Sequence, residues 1–179
     1  GVLRSLTPAA ADSWFTSLSK YGTMSFGEVA SAAINLAGNG FPMFSYLAGR
    51  FVTAFDAYNT YPSTAEIYLP GGRGPIQGEM FYQKDLAATL SKLAEIESSN
   101  KGPGREAVLQ AARDDLYTVV HSRKLVAFNQ EMGGMLTAED LANYQMTVGS
   151  AVTVNYNGYA VYSTGHWGQG PTFPLRRRS

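Results

Sequence analysis

Four groups of residues in this chain are of the kinds that do chemistry. Two are adjacent carboxylate pairs, Asp114-Asp115 and Glu139-Asp140. A general acid/base dyad needs two carboxyls facing one substrate, and neighbours on a helix point away from each other. Helix-surface solvation or capping is therefore their expected role. The third group is His121 and His166, the only two histidines. Without a nearby ligand set they make no metal site. A Ser-His-Asp arrangement stays open on sequence alone, since its members can lie far apart, but there is no G-x-S-x-G elbow to anchor one. The fourth is Gly71-Gly72-Arg73-Gly74. No Lys-Ser/Thr follows it for a phosphate loop and the dinucleotide spacing is missing, so a structural loop is expected. Trp14 and Trp167 are read as core or interface anchors. No catalytic, substrate-binding or metal-ligating residue is assigned, and no cofactor.

Composition narrows the class further. The chain has 179 residues, enough for one real core. Hydrophobic residues make up 45% and charged residues 16%, a globular balance. Lys+Arg and Asp+Glu cancel at 14 each, which gives no reason to expect a nucleic acid or an anionic membrane as partner. Arg176-Arg177-Arg178 is the only basic run and reads as a solvated tail. With no cysteine, disulfides, thiolate zinc sites and a cysteine nucleophile fall away. No apolar run approaches the roughly 20 residues of a membrane span. The chain opens Gly1-Val2-Leu3-Arg4 without an initiator methionine or signal-like region. It reads as a segment of something larger, although a processed or tagged chain would open the same way.

The elements that would position any chemistry are mostly short helices. Thr7-Pro8 is expected to open the first, with Trp14, Phe15 and Leu18 on one face and Gly22 as its end. Ser25-Phe26-Gly27-Glu28 is a capping box, with Met24 and Val29 placed as a staple. It opens a helix with Val29, Ala33, Leu36 and Ala37 on its apolar face, stopped by Gly38-Asn39-Gly40. Phe41-Pro42 is expected to start a third helix, striped by Phe44, Leu47, Phe51, Val52 and Phe55. Ser63-Thr64-Ala65-Glu66 reads as another capping box, Leu69 to Pro75 as loop and Met80-Phe81-Tyr82 as a short extended segment. Lys84 to Glu97 is helical through Leu86, Leu90, Leu93 and Ala94. Arg105 to Met132 is helical with a break expected near Arg113 to Tyr117. Gly133-Gly134 can take positive φ and stop it, and Thr137 caps a further helix with Asp140 at N3. Beyond Tyr144 the period changes to two. Val152, Val154 and Tyr156, then Tyr159, Val161 and Ser163, flank Asn157-Gly158, a strong hairpin signal. The expected fold class is α+β: a helical region over 1–147, a hairpin region over 148–171 and a tail over 172–179.

The run Gly133-Gly134-Met135-Leu136-Thr137-Ala138-Glu139-Asp140-Leu141-Ala142-Asn143-Tyr144 resembles a signature of the gamma-glutamyltransferase family. Four other blocks resemble the same family in the same order. They are Tyr21 to Glu28, Ala32 to Pro42, Gly78-Glu79 with Gln83 to Leu90, and Gly165 to Pro171. Three stretches depart from it. Thr118-Val119-Val120-His121-Ser122-Arg123 stands where a glycine-aspartate-isoleucine-alanine run is usual, Thr7-Pro8-Ala9 replaces a proline-glycine, and Thr172 to Ser179 replaces an apolar helix.

The resemblance implies the middle part of a large subunit, packed onto the αββα sandwich of an N-terminal-nucleophile hydrolase. In such a protein the precursor cleaves itself. The threonine that then opens the small subunit attacks a gamma-glutamyl carbonyl of glutathione or a related amide, forming an acyl-enzyme. Water or an amino acid or peptide accepts the acyl group. The implied partners are the small subunit, the remaining large-subunit segments of the same precursor and a small gamma-glutamyl substrate. The arginine that grips the substrate carboxylate is expected before Gly1, and the threonine and the remaining substrate contacts after Ser179, so no family site residue maps onto this chain. Gly1 has no side chain to act as a nucleophile. A related acylase acting on a beta-lactam side-chain amide, and a non-enzymatic helical interaction module, stand as alternatives. Localisation is left open, with a periplasmic or secreted place allowed by the resemblance and a cytoplasmic one beside it.

Overall fold

The computed structural model describes residues 2–100, 102 and 104–172. Gly1, Arg176-Arg177-Arg178 and the expected tail from residue 173 onward lie outside the described residues. The chain forms two compact units, Gly1–Tyr144 and Gln145–Ser179.

The first unit is helical. Its elements are α1 (Ala10–Tyr21), α2 (Phe26–Asn39), α3 (Ser45–Thr53), α4 (Phe55–Asn59), α5 (Pro62–Tyr68), α6 (Lys84–Ser99), α7 (Arg105–Thr118), α8 (Val120–Glu131) and α9 (Ala138–Ala142), with a two-residue strand pair β1 (Phe41–Pro42) and β2 (Met80–Phe81). Helix α7 is the hub, packing against α1, α6, α8 and α9, while α2 lies along α6. Phe15, Phe26, Leu90, Leu93, Leu109, Ala112, Tyr117 and Leu141 form the main core. Met43, Ala48, Phe51 and Phe81 form a second, aromatic one with Phe41, Tyr58 and Tyr68 against it. Ring centroids there lie 5.3–6.2 Å apart, within the range where edge and offset contacts are attractive.

Local chemistry decides several boundaries. Ser25 accepts the Glu28 amide and Glu28 accepts the Ser25 amide, so the capping box forms as expected. A second one forms between Thr137 and Asp140. Helix α8 ends in a Schellman turn: the Gly134 amide reaches back to the Asn129 carbonyl at 2.7 Å and the Gly133 amide to that of Gln130 at 2.9 Å.

Other expectations give way. The first helix opens at Ala10 with Ala9 as an uncapped start, not at Thr7-Pro8, because the Pro8 carbonyl is taken by the Tyr117 hydroxyl. Phe41-Pro42 begins no helix. Proline biases Phe41 toward extended backbone, and Phe41 and Pro42 pair antiparallel with Phe81 and Met80. Ser63 to Glu66 caps nothing, since α5 starts at Pro62 with Pro at its first position. The break in the long helical pattern falls at Val119, with φ −111° and ψ −118°, after Tyr117 rather than before it.

Helix α2 buries Ala37 as expected but is otherwise turned to a different face. Phe26, Ala30 and Ala37 are buried, whereas Val29 and Leu36 are exposed. The inward face is the small one, because Gly27 and Gly38 oppose Ala94 and Ala87 of α6. A methyl group on either glycine would stand 3.4 Å from the facing methyl. Close helix packing selects those small residues over the larger apolar ones.

The second unit carries the hairpin of β3 (Val152–Tyr156) and β4 (Tyr159–Ser163). Val152 pairs with Ser163, Val154 with Val161 and Tyr156 with Tyr159, the two expected rows facing each other. Asn157 and Gly158 take φ of 49° and 86°, the type I′ geometry whose twist matches that of the strands. The fold class is α+β, mainly helical with a C-terminal antiparallel pair.

Candidate functional site

The most concentrated polar chemistry lies inside the helical unit, around α7. Positions 109, 112, 113, 116 and 117 follow one another along one side of that helix, and Leu109, Ala112 and Tyr117 are fully buried. Arg113 sits among them at 8% exposure, a charge on a core-facing stripe. Its Nε donates to the carboxylate of Asp12, which is itself 2% exposed. Its Nη2 donates to the Tyr144 carbonyl and its Nη1 to Asp114 at 3.5 Å. The guanidinium also stands 4.9 Å from the Tyr117 ring centroid, a cation–π contact. The Tyr117 hydroxyl donates to the Pro8 carbonyl and accepts the Asp12 amide at 3.2 Å. Burial pushes the Tyr117 phenol above its ordinary 10.0. This cluster holds charge without presenting it to a ligand. Sequence reading passed over Asp12 and Arg113, although a charge at a core-facing position in both α1 and α7 was the available signal.

The residues singled out from the sequence have mundane partners. Asp115 accepts from Lys92 Nζ at 3.0 Å and meets His121 Nδ1 at 3.2 Å. It therefore ties α6, α7 and α8 together, which corrects its expected role as a solvated surface carboxylate. Asp114 accepts from Gln110 Nε2 at 2.7 Å on the exposed side of the helix. Asp140 works as the cap of α9, its hydrogen bonds with Thr137 holding its carboxyl below the ordinary 3.8. Glu139 is exposed. Trp14 is half-exposed and lines a groove of about 480 Å³ between α1 and α2, with Leu18, Tyr21, Val29 and Ala33. Trp167 is fully exposed, so it is no core anchor, and His166 beside it is exposed as well. Among the described residues no three His, Asp or Glu gather in a way that could hold a metal ion. No helix among the described residues is long and apolar enough to cross a membrane.

The glycine-rich loop is structural, as expected. Gly71 and Gly72 take φ of 74° and 78°, and a side chain at Gly74 would collide with Phe51, whose Cβ would stand 2.8 Å away. Arg73 forks onto both Glu79 oxygens at 2.9 Å, and the Ile76 amide donates to the same carboxylate at 3.0 Å. Those bonds, the arginine first, hold the Glu79 carboxyl down to about 2, from an ordinary 4.5. Its contribution to the loop is thus present above pH 4.5 and is lost as pH falls toward 2. A carboxyl-carbon NMR titration of Glu79 should show a midpoint near 2, rising in Arg73→Ala but staying below 4.5 because the Ile76 amide still donates to the carboxylate. A midpoint near 4.5 in the unsubstituted chain would refute the clamp.

A sequence model described as Gamma-glutamyltranspeptidase matches residues 1–175 of the chain. The chain belongs to the gamma-glutamyltranspeptidase family. The glutathione hydrolase-like YwrD proenzyme of Bacillus subtilis is 30% identical over 165 residues, which are 92% of this chain and 29% of that protein. The acylase ACY 1 proenzyme of Pseudomonas sp. (strain SE83) is 30% identical over 154 residues, 86% of this chain and 25% of that one. The crystal structure of Helicobacter pylori gamma-glutamyltranspeptidase superposes with a TM-score of 0.79 at 25% identity, over 94% of this chain and 44% of that chain. The chain therefore spans 25–29% of the length of these two proenzymes.

The structure shows what four of the five sequence blocks are locally. Tyr21 to Glu28 is a helix end and a capping box, Gly40 to Pro42 the turn into β1, and Gly78-Glu79 the turn into β2. Gly133 to Tyr144 is a Schellman turn followed by a second capping box.

Proposed function

We propose that this chain is the middle of the large subunit of a gamma-glutamyl amide hydrolase or transferase, a scaffold whose chemistry is done by other parts of the same precursor. The observation that carries this is the family match over residues 1–175. In the complete protein the hydroxyl of the threonine opening the small subunit attacks the gamma-glutamyl carbonyl. The threonine α-amine takes the hydroxyl proton and backbone N–H groups stabilise the oxyanion; its collapse breaks the amide C–N bond, and the leaving amine departs with that proton. The acyl group then passes to water or to an amine. The substrate is glutathione or a related gamma-glutamyl amide, and the partners are the small subunit and the rest of the large one.

On this reading region 1–147 is the helical arm, 148–171 the hairpin that joins the αββα core and 172–179 a tail. A lone two-stranded hairpin is marginal in water. The helical unit also leaves Val29 and Leu36 of α2 and Tyr46 and Val52 of α3 exposed.

Purified 1–179 chain is expected to release no p-nitroaniline from gamma-glutamyl-p-nitroanilide, while the whole precursor is expected to cleave itself and release it. Turnover by the chain alone would refute the scaffold role. The acylase relative, equal in identity to the hydrolase-like one, favours a second reading in which the whole protein acts on a beta-lactam side-chain amide. A precursor that cleaves itself, hydrolyses that amide and leaves the anilide intact would select it.

A further inference from the structure

The helical unit is tied together at its two ends. Pro8 and Asp12 lie near its start and Tyr144 is its last residue. All three are bound by Arg113 and Tyr117 on two successive turns of α7. Arg113 reaches the Asp12 carboxylate with one nitrogen and the Tyr144 carbonyl with another. Tyr117, one turn later, binds the Pro8 carbonyl and the Asp12 amide through its hydroxyl. Its ring stacks on that of Tyr144, with centroids 6.1 Å apart and planes 17° off parallel. The Arg113 and Asp12 side chains are 10% and 3% exposed. Buried ion pairs seldom outdo well-packed apolar residues in stability, and their best-attested use is to fix one arrangement among several. A planar guanidinium can hold two chain segments at set angles, which an apolar side chain or a lysine cannot. Residues 145–151 are exposed and form neither helix nor strand, so Tyr144, just after α9, stands where the chain leaves the helical unit.

We propose that Arg113 is a positioning residue: it latches the outgoing chain at Tyr144 to the incoming chain at Pro8–Asp12, and precursor maturation needs the fixed exit this creates. The maturation half rests on the function proposed above, and the latch half stands on geometry alone.

The test is Arg113→Lys in the complete precursor and in the 1–179 chain. Lysine keeps a charge for Asp12 but cannot fork onto Tyr144. At a temperature well below its own unfolding transition, the precursor variant is expected to cleave itself at least tenfold more slowly. In the 1–179 chain, amide exchange at Asn143 and Tyr144, whose amides bond the Glu139 and Leu141 carbonyls, should quicken about tenfold. Ser25→Ala removes the α2 cap far from the latch, lowers stability and should leave both readouts unchanged. Should Arg113→Lys fail to fold, Tyr117→Phe replaces it. That change keeps the ring and loses the ties to Pro8 and Asp12, with slowed cleavage and faster exchange at the start of α1 expected.

Wild-type cleavage in the folded latch variant overturns the positioning role. So does slowing in Ser25→Ala proportional to its stability loss. If the unsubstituted precursor neither cleaves itself nor turns over the anilide, the function reading fails instead. The exchange experiment then decides the latch by itself, and unchanged exchange in Arg113→Lys overturns it.

Discussion

Replacing Asp12 by alanine should cost the 1–179 chain about 3–5 kcal/mol, the usual penalty for leaving one member of a buried ion pair uncompensated. A domain of this size holds roughly 5–15 kcal/mol in all, so the loss takes much of what there is. At a urea slope of about 2 kcal/mol/M the unfolding midpoint should fall by roughly 2 M. The cause is Arg113: at 8% exposure it has little water to turn to once the carboxylate is gone. Arg113→Met should also destabilise, because it leaves Asp12 charged and buried and withdraws a donor from the Tyr144 carbonyl. The double variant Asp12→Leu/Arg113→Met is the sharper measurement. Removing both charges together should cost much less than the sum of the single changes. Purely additive costs would mean that the two side chains are not coupled and that the buried pair is incidental.

This network also marks where sequence reading stops. The Ser25/Glu28 capping box, the Thr137 cap with Asp140 at N3 and the Asn157-Gly158 turn form as expected, each decided by residues within four positions of one another, whereas the equally local Ser63/Glu66 box loses to a helix start at Pro62. Phe41-Pro42 was misread because its partner is Phe81, forty residues on, and pairing overrode the local helix-start signal. The face of α2 is shifted for a similar reason: Ala37 is buried as expected, but Val29 and Leu36 outweigh Ala30 in hydrophobicity, and only the approach of α6 shows that the small side is the buried one. Asp12 and Arg113 lie 101 positions apart, a separation at which no spacing rule operates. On the functional side, the family was legible in five blocks that stand in family order, and the family model matches residues 1–175. The residues the sequence offers for chemistry, His121, Asp114, Asp115 and Asp140, are engaged in hydrogen bonds within the helical unit.

The glycine pair of the signature offers a second large effect, and the two glycines are there for different reasons. Sequence alone suggests that either can supply the positive φ of a helix stop. In the structure only Gly133 does, at 83°. A non-glycine residue there costs about 1–2 kcal/mol. Gly134 has no such angle, but an added Cβ would lie 2.1 Å from Oδ1 and 2.5 Å from Cγ of Asn129. That side chain is 5% exposed and accepts the Leu136 amide at 3.0 Å, so it cannot swing away without breaking the turn into α9. Gly134→Ala should therefore cost roughly 2–4 kcal/mol, overpacking plus the loss of that bond. It should exceed Gly133→Ala although its own backbone angle is permissive. In an Asn129→Ala background the obstruction is gone, and Gly134→Ala should cost little. Urea unfolding of the four variants gives the cycle. A Gly134→Ala cost below that of Gly133→Ala, or one unchanged by Asn129→Ala, would show that the pair serves backbone conformation alone.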